Sequence, residues 1–469
     1  MQATTLEFEA NAHKALENPT LQSALAKIKT GWVAGRARAA ERLPEFEALR
    51  DLGRDIKNHS LAHLDLYLEA FEAKVTAQGG IVHWARDAAE ARAIVLDLCR
   101  AAGARTVTKS KSMITEEIGL NAFLEAHELQ PIETDLGEYI LQISGQPPSH
   151  IIGPAVHMTQ DEISDLFQRQ HGGPRLEDAA DLVADARRIL RSHYLTADVG
   201  ITGANFLIAE TGSAITVTNE GNAELTQCLP RTHIVIASLE KVVPTMEDAF
   251  TLLRLLARSA TGQEFSTYTT VLTGPKRAAD LDGPDHFHVV LLDNGRTQML
   301  GNEFREMLRC IRCGACMNHC PVYIATGGHA YGWVYPGPMG SVLTPQLIGI
   351  EQGGPLPNAS TFCGRCEQVC PVRIPLPKLM RHWREEQFRR QLTPAAARYG
   401  LSFWGFVAKR PGLYRLTARV AARALRLLGR HGRIRWAPLA GGWTRTRDLP
   451  APQGGTFMSQ WRAARKSPR

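Results

Sequence analysis

The sequence predicts an α/β domain, then a small α-helical domain built around cysteines, then a basic helical tail. Three observations carry this. Short apolar, β-branched runs alternate with helical periodicity over the first 300 or so residues. Seven of the nine cysteines crowd into residues 310–370. Residues 401–469 hold 15 Arg or Lys against one acid, Asp448, so the tail is +14 and the preceding chain −7. At 469 residues, 44% hydrophobic and 22% charged, the composition is that of an ordinary globular protein too long for one core.

The elements follow in order. Residues 1–60 are rich in Ala, Leu, Glu and Lys with few breakers, and read as helical. Gly79–Trp84 is a short strand, and Asp87–Ala102 is a helix with Ala91, Ile94, Val95 and Leu98 on one face. Further strands are expected at Thr106–Thr108, Ile151-Ile152, Phe206–Ala209, Ala214–Thr218, His233–Ala237 and His286–Leu292, with a helix at Met246–Ala257. The expected divisions are a helical segment over 1–60, an α/β domain over 61–298, a cysteine domain over 299–390 and the extension over 391–469. In that extension Leu413, Leu416, Val420, Ala424 and Leu427 recur at steps of three and four, opposite Arg415, Arg419, Arg423, Arg426 and Arg430. Such a helix either docks with its basic face solvated or meets an acidic partner or anionic lipid. No nucleic-acid motif accompanies it.

The cysteines run Cys310-x2-Cys313-x2-Cys316-x3-Cys320-Pro321, then Cys363-x2-Cys366-x3-Cys370-Pro371. A [4Fe–4S] cubane needs four converging thiolates. A tight loop with cysteines at i, i+3 and i+6 supplies three, and the fourth comes from elsewhere. In two-cluster proteins each run's last cysteine serves the other cluster. The first cluster then takes Cys310, Cys313, Cys316 and Cys370. The second takes Cys320, Cys363 and Cys366, and Ser360 stands where its fourth cysteine would be. That leaves three-cysteine ligation, or a [3Fe–4S] form, open for the second.

Structural zinc uses paired Cys or Cys/His sets, which this spacing does not match, although His319 would complete a Cys3His set. Disulfides fit poorly with an odd count of seven. Cys99 and Cys228 lie apart in apolar surroundings and read as buried structural thiols. Arg309, Arg312, Arg365 and Arg373 flank the ligands, and their charge is expected to raise the cluster potentials. The segment Gly327–Pro338, rich in glycine and aromatics, is expected to pack over the clusters. The N-terminus has no basic, then apolar leader, and no run approaches 18 apolar residues. A cytoplasmic location is expected, with peripheral contact at the inner membrane face through the basic tail as a further use of that helix.

The cysteine pattern, Ser360 and the preceding α/β domain together resemble the iron–sulfur B subunit of the bacterial L-lactate utilisation (Lut) complex, the LutB/YkgF family. The resemblance rests on Thr108-Lys109-Ser110-Lys111-Ser112, Ile201–Ser213, Thr218–Asn222, Tyr331–Pro338 and Cys363-Gly364-Arg365-Cys366, and covers roughly residues 10–450. It implies a fold like ribose-phosphate isomerases and CoA transferases, followed by a ferredoxin-like unit with two iron–sulfur clusters. It also implies two partner subunits, one cysteine-rich and one a free-standing relative of the α/β domain, and oxidation of L-lactate to pyruvate. On that reading the chain is a non-autonomous electron-transfer subunit of an L-lactate dehydrogenase complex, its electron acceptor unspecified. The alternative is an isomerase or transferase whose clusters are structural or redox-sensing. Glycine-rich turns at Gly200–Gly203 and Gly212-Ser213 can bind anions through backbone N–H groups or simply serve as tight turns. A substrate or partner site lined by Lys109, Glu210 and Asn219 is the expectation there.

Overall fold

The sheet that organises the chain is parallel and buried on both faces. In the computed structural model, which describes residues 3–437, 444 and 447–466, the α/β part holds β1 (Ile81–Ala85), β2 (Thr106–Lys109), β3 (Gln130–Glu133), β4 (Val199–Gly203), β5 (Phe206–Ile208), β6 (Ser213–Thr218), β7 (Thr232–Ser238), β8 (Val242-Val243), β9 (Tyr268–Leu272) and β10 (His286–Leu292). Six of them form a parallel sheet in the order β1-β10-β7-β4-β2-β3. The other four form a smaller mixed sheet, β8-β5-β6-β9. Side chains alternate across the large sheet. Ile234, Ile236, Val290 and Leu292 pack with Val95 and Cys99 on one face. Val235, Ala237, Val289 and Leu291 pack with Leu68, Phe71 and Val75 on the other. Coverage on both faces is why β7 and β10 read as nearly continuous apolar runs.

Gly200 in β4 is required by a close approach. A Cβ there would sit 1.9 Å from the carbonyl oxygen of Thr226, so glycine lets the helix Asn222–Cys228 lie against the sheet. Ile151-Ile152 is not a strand. The backbone N–H groups of Ile152 and Gly153 donate to Nδ1 of His150 at 3.0 and 3.2 Å, which curls this segment into turns. The strands β3, β4 and β9 and the helices Gln160–His171 and Ala179–Thr196 lie outside the expected elements.

The chain divides into two compact units, residues 1–386 and 387–469. Within the first, one apolar core runs from Phe206, Ile208 and Ile215 of the small sheet through Leu252 and Leu256 to Cys313, Cys316, Tyr323 and Tyr335. In the second, the helices Ala395–Ala408 and Pro411–Leu428 bring Trp404 and Tyr414 edge to face at 5.9 Å. Among the described residues no helix is long and apolar enough to cross a membrane.

A buried ionic chain crosses the first unit. Arg296, 1% exposed, donates to both oxygens of Glu117 at 2.9 and 2.7 Å. Glu117 also accepts from Tyr335 and Asn294, each at 2.7 Å. The Nε of Arg296 lies 3.1 Å from Glu240, close enough for ion pairing but not aligned as a hydrogen bond. Removing one member of such a chain strands the others without solvent. Arg296→Met is expected to destabilise the protein by about 3–5 kcal/mol, read as a lower denaturant midpoint of the near-UV signal. A loss below about 1 kcal/mol would contradict the assignment.

Candidate cluster-binding loops and adjoining cavity

The two cysteine loops share one backbone design. Gly314 and Gly364 follow Cys313 and Cys363 with φ of 72° and 79°, and each opens a single helical turn, Ala315–Asn318 and Arg365–Gln368. The residue before each of these cysteines is also left-handed, Arg312 at φ 60° and Phe362 at φ 53°. That conformation is strained for a side chain larger than glycine and needs tertiary support. Arg312 stacks over Tyr335 with its guanidinium 4.9 Å from the ring centroid and pairs with Glu240 at 3.3 Å. Phe362 lies beneath the guanidinium of Arg384 at 4.1 Å. A Cys-Pro pair then ends each loop.

The thiols influence one another in two sets. Burial raises the Cys313 pKa, and neighbouring Cys370 and Cys310 raise it further. Burial, then Cys313, Cys310, Cys366 and Cys370, push Cys316 well above an ordinary thiol. Cys370 is pushed up to about 11 by burial, with Cys310 adding to the effect. Burial and neighbouring Cys320 and Cys363 push Cys366 up to about 12. Cys320 is raised by burial and by Cys363. One set therefore gathers Cys310, Cys313, Cys316 and Cys370, the other Cys320, Cys363 and Cys366, with Cys316 and Cys366 linking them.

Crowded neutral thiols in an apolar core have no evident role by themselves, whereas thiolates bound to iron match the packing. Among the described residues, the group of three potential ligand atoms within 4.8 Å of one another is Glu116, Glu133 and Glu138, not a cysteine set. Four sulfurs on one zinc lie about 3.8 Å apart, given a Zn–S bond of about 2.3 Å. No three cysteine sulfurs among the described residues come as close as a single zinc would draw them. His319 donates from Nδ1 to the Ala315 carbonyl at 2.9 Å, so that nitrogen carries the proton.

Ser360 lines a small cleft with Cys320, Cys363 and Cys366. Its Oγ accepts from the N–H of Phe362 at 3.2 Å. Cys363 is exposed, whereas the sulfur-bearing residues of the first set are buried or nearly so. Of the two solitary cysteines, Cys99 is fully buried, its thiol pushed up to about 12 by burial, while Cys228 is only half-buried.

The flanking arginines are mostly neutralised by acids, of which only Glu306 is local in sequence. Arg373 pairs with Glu47 and Asp51, Arg309 with Glu306 and Arg312 with Glu240. Other cations face the thiols. Arg36 acts on Cys313 and Arg50 on Cys370, where Arg50 donates to the Cys370 carbonyl at 3.1 and 2.8 Å. Lys57 is 1% exposed, donates to the Glu240 carbonyl and feels Cys310. Burial pushes its ammonium down to about 8. None carries a local signal, because each sits on a distant helix.

Beside the first loop lies a cavity of about 430 Å³. Its floor is the carboxyl ends of β2, β4 and β7, through Ser110–Ile114, Gly203–Asn205 and Ile236–Ser238. Trp32 and the segment Ile151–Val156 cover it, and Arg312 and Tyr335 supply one wall. His150 holds that segment to the cysteine loop, pairing through Nε2 with Oδ1 of Asn318 at 2.9 Å. Because Nδ1 of His150 accepts from the backbone, Nε2 is the protonated nitrogen. Lys241 lines the cavity too. Burial, then Arg312, push its ammonium down to about 8.

Lys109, Glu210 and Asn219 do not form a site together. Asn219 lines the cavity and Lys109 and Glu210 do not. Glu210 is exposed and accepts from the N–H of Met246 at 3.1 Å. Lys109 is fully buried, 2.7 Å from Glu133, 3.2 Å from Glu116 and 3.8 Å from Glu138. Burial and the neighbouring Glu133 raise Glu138 well above the usual carboxylate range. Lys109 is raised despite its burial, because Glu133, Glu116 and Glu138 favour its charge.

The sequence matches a LUD domain over residues 68–292, a 4Fe-4S dicluster domain over 306–374 and "Lactate utilisation protein B, C-terminal" over 389–466. It is 44% identical to lactate utilization protein B of Geobacillus sp. (strain WCH70), over 97% of this chain and 98% of that protein. Identity to lactate utilization protein B of Geobacillus kaustophilus is 43%, over 98% and 97%. It is 41% to the uncharacterized electron transport protein YkgF of Escherichia coli, again over 98% and 97%.

The Lys109 cluster generates a paired prediction. Lys109→Met leaves Glu133 buried without its cation and is expected to destabilise by about 3–5 kcal/mol. Glu138→Gln replaces a carboxyl whose charged form burial and Glu133 already disfavour, and should change stability by less than about 1 kcal/mol. Denaturant melts of the two variants check this, and equal losses would contradict the upward shift of Glu138.

Proposed function

Because the chain belongs to the lactate utilization protein B family, we propose that it is the iron–sulfur electron-transfer subunit of a complex that oxidises L-lactate to pyruvate. The observation that carries this reading is the convergence of seven cysteines into two adjoining sets on matched loops. The first set, Cys310, Cys313, Cys316 and Cys370, would hold one [4Fe–4S] cluster. Cys320, Cys363 and Cys366 would hold the second, with Ser360 at its remaining corner. Bound there, each cluster passes one electron at a time, at a potential set by nearby charge and hydrogen bonds.

The chain's own residues order that transfer. Arg36, Arg50 and Lys57 place positive charge beside the first set. The N–H of Ile374 donates to Sγ of Cys370 at 3.3 Å. Both favour added negative charge, hence the reduced state. Tyr331, Trp333 and Tyr335 are buried in the core that surrounds the loops and keep water from them. Exposed Cys363 puts the second set at the surface, where a partner subunit can take electrons. The partners on this reading are a cysteine-rich subunit and a free-standing relative of the α/β domain, which itself we read as isomerase- or CoA-transferase-like. The amphipathic helix Pro411–Leu428 is the proposed contact for an acidic partner or the inner membrane face.

Anaerobic protein mixed with its two partner subunits tests the reading. L-lactate is expected to bleach the visible absorption of the mixture. Bleaching by dithionite but not by L-lactate would contradict it.

A further inference from the structure

The second unit exposes apolar helix faces of a kind that the first unit buries. In the first, Leu252, Leu255 and Leu256 of the helix Met246–Ala260 all close on the core. None of the 18 residues of the helix Pro411–Leu428 is buried. There Leu416, Val420 and Leu427 share one face, and each is more than half exposed. In the helix Ala395–Ala408 Val407 alone is buried. Its Tyr399, Phe403 and Phe406 recur at steps of four and three and are again more than half exposed. The helix Phe457–Lys466 stacks Phe457 on Trp461 at 6.0 Å, both rings exposed.

Positive charge lies beside these faces with little acid to offset it. Residues 401–469 hold 15 Arg or Lys and one acid, Asp448, which lies 3.5 Å from Arg433. Arg415, Arg419, Arg423 and Arg426 each precede a member of the row Leu416, Val420, Ala424 and Leu427, so arginine flanks that row along its length. Arg415 and Arg419 donate through Nε to carbonyls of their own helix, those of Pro411 and Arg415, at 3.1 Å each. Arg410 lies over the Phe406 ring at 3.6 Å and Arg465 over the Trp461 ring at 5.2 Å. Cation and aromatic ring therefore sit together at the surface.

The chemistry of these faces selects what covers them. Amphipathic helices with arginine beside exposed aromatic and aliphatic side chains lie in membrane interfaces. Anionic headgroups meet the arginines there, while Trp and Tyr rings sit at headgroup depth. Nucleic acid would use the charge and the rings but leave Leu416, Val420 and Leu427 in water. A strongly acidic protein face would meet the arginines but set carboxylates against the apolar rows. We infer that the second unit docks on an anionic lipid surface, its apolar helix faces seated in the interface and Arg415, Arg419 and Arg423 at the lipid phosphates. Because no described helix is long and apolar enough to cross, the contact is with one leaflet. The inference rests on the reading of the tail given above, narrows its occupant to lipid and extends it to two further helices.

The test is co-sedimentation of the anaerobic, iron-loaded full chain with lipid vesicles. Binding is expected to vesicles of phosphatidylglycerol mixed with phosphatidylcholine, and it should weaken as salt rises. Arg419→Gln combined with Arg423→Gln should weaken it about tenfold or more. Phe403→Ser combined with Phe406→Ser should do the same, with iron and sulfide content unchanged in both double variants. No binding, equal binding to vesicles of phosphatidylcholine alone, or binding indifferent to both pairs of substitutions would overturn the inference. So would tighter binding of a short DNA duplex than of the vesicles. A chain that ignores vesicles, but whose paired substitutions release a partner subunit, would overturn it in favour of an acidic protein. A protein that bleaches with L-lactate and its partners but binds no vesicles refutes this inference alone. A protein that binds vesicles but never bleaches refutes the electron-transfer reading instead.

Discussion

Arg312 sits between two cysteines in a backbone conformation that only tertiary contacts can sustain, and much of the first unit is arranged to sustain it. Its guanidinium stacks on Tyr335 and pairs with Glu240. Glu240 in turn faces Arg296, which grips Glu117, and Glu117 accepts from the hydroxyl of Tyr335. The chain of charges closes on itself across the α/β part and the cysteine loops. Burying charge is unfavourable unless each member is matched. A shift of the loop would therefore unmatch several groups at once. The ionic chain accordingly reads as a device for holding the cysteine loop against the sheet, more than as a source of net stability.

That coupling gives the unit a direction. The cavity meets the sheet on one side and Arg312 and Tyr335 on the other. Next come the buried cysteines of the first loop, then Cys366 and Cys320, and finally exposed Cys363. Cys313, Cys316, Cys320, Cys366 and Cys370 are buried alike, Cys310 is partly buried and Cys363 is exposed. Ser360 lines the small cleft beside exposed Cys363.

The two matched cysteine loops were legible in the sequence because spacing within a tight loop is a local property. Strands β7 and β10 were legible for a similar reason, since burial on both faces writes itself as an unbroken apolar run. Strand β4 was not, as Val199-Gly200-Ile201-Thr202-Gly203 carries glycines that serve helix packing rather than strand formation. Ile151-Ile152 misled because His150, a neighbour in sequence, captures the N–H groups a strand would have used. Lys109 looked like a ligand-facing cation but is enclosed by three glutamates brought from separate elements. Lys57 and Lys241 escaped notice because nothing near them in sequence hints at Cys310.

The central claim is that two clusters sit side by side on the matched loops. Electron paramagnetic resonance of the fully reduced, anaerobic protein tests it most directly. Two paramagnets on adjoining loops are expected to interact, so the account predicts a broadened or split signal that simplifies when Cys366→Ala removes one of them. A single sharp spectrum from the native protein, unaltered by that substitution, would contradict it.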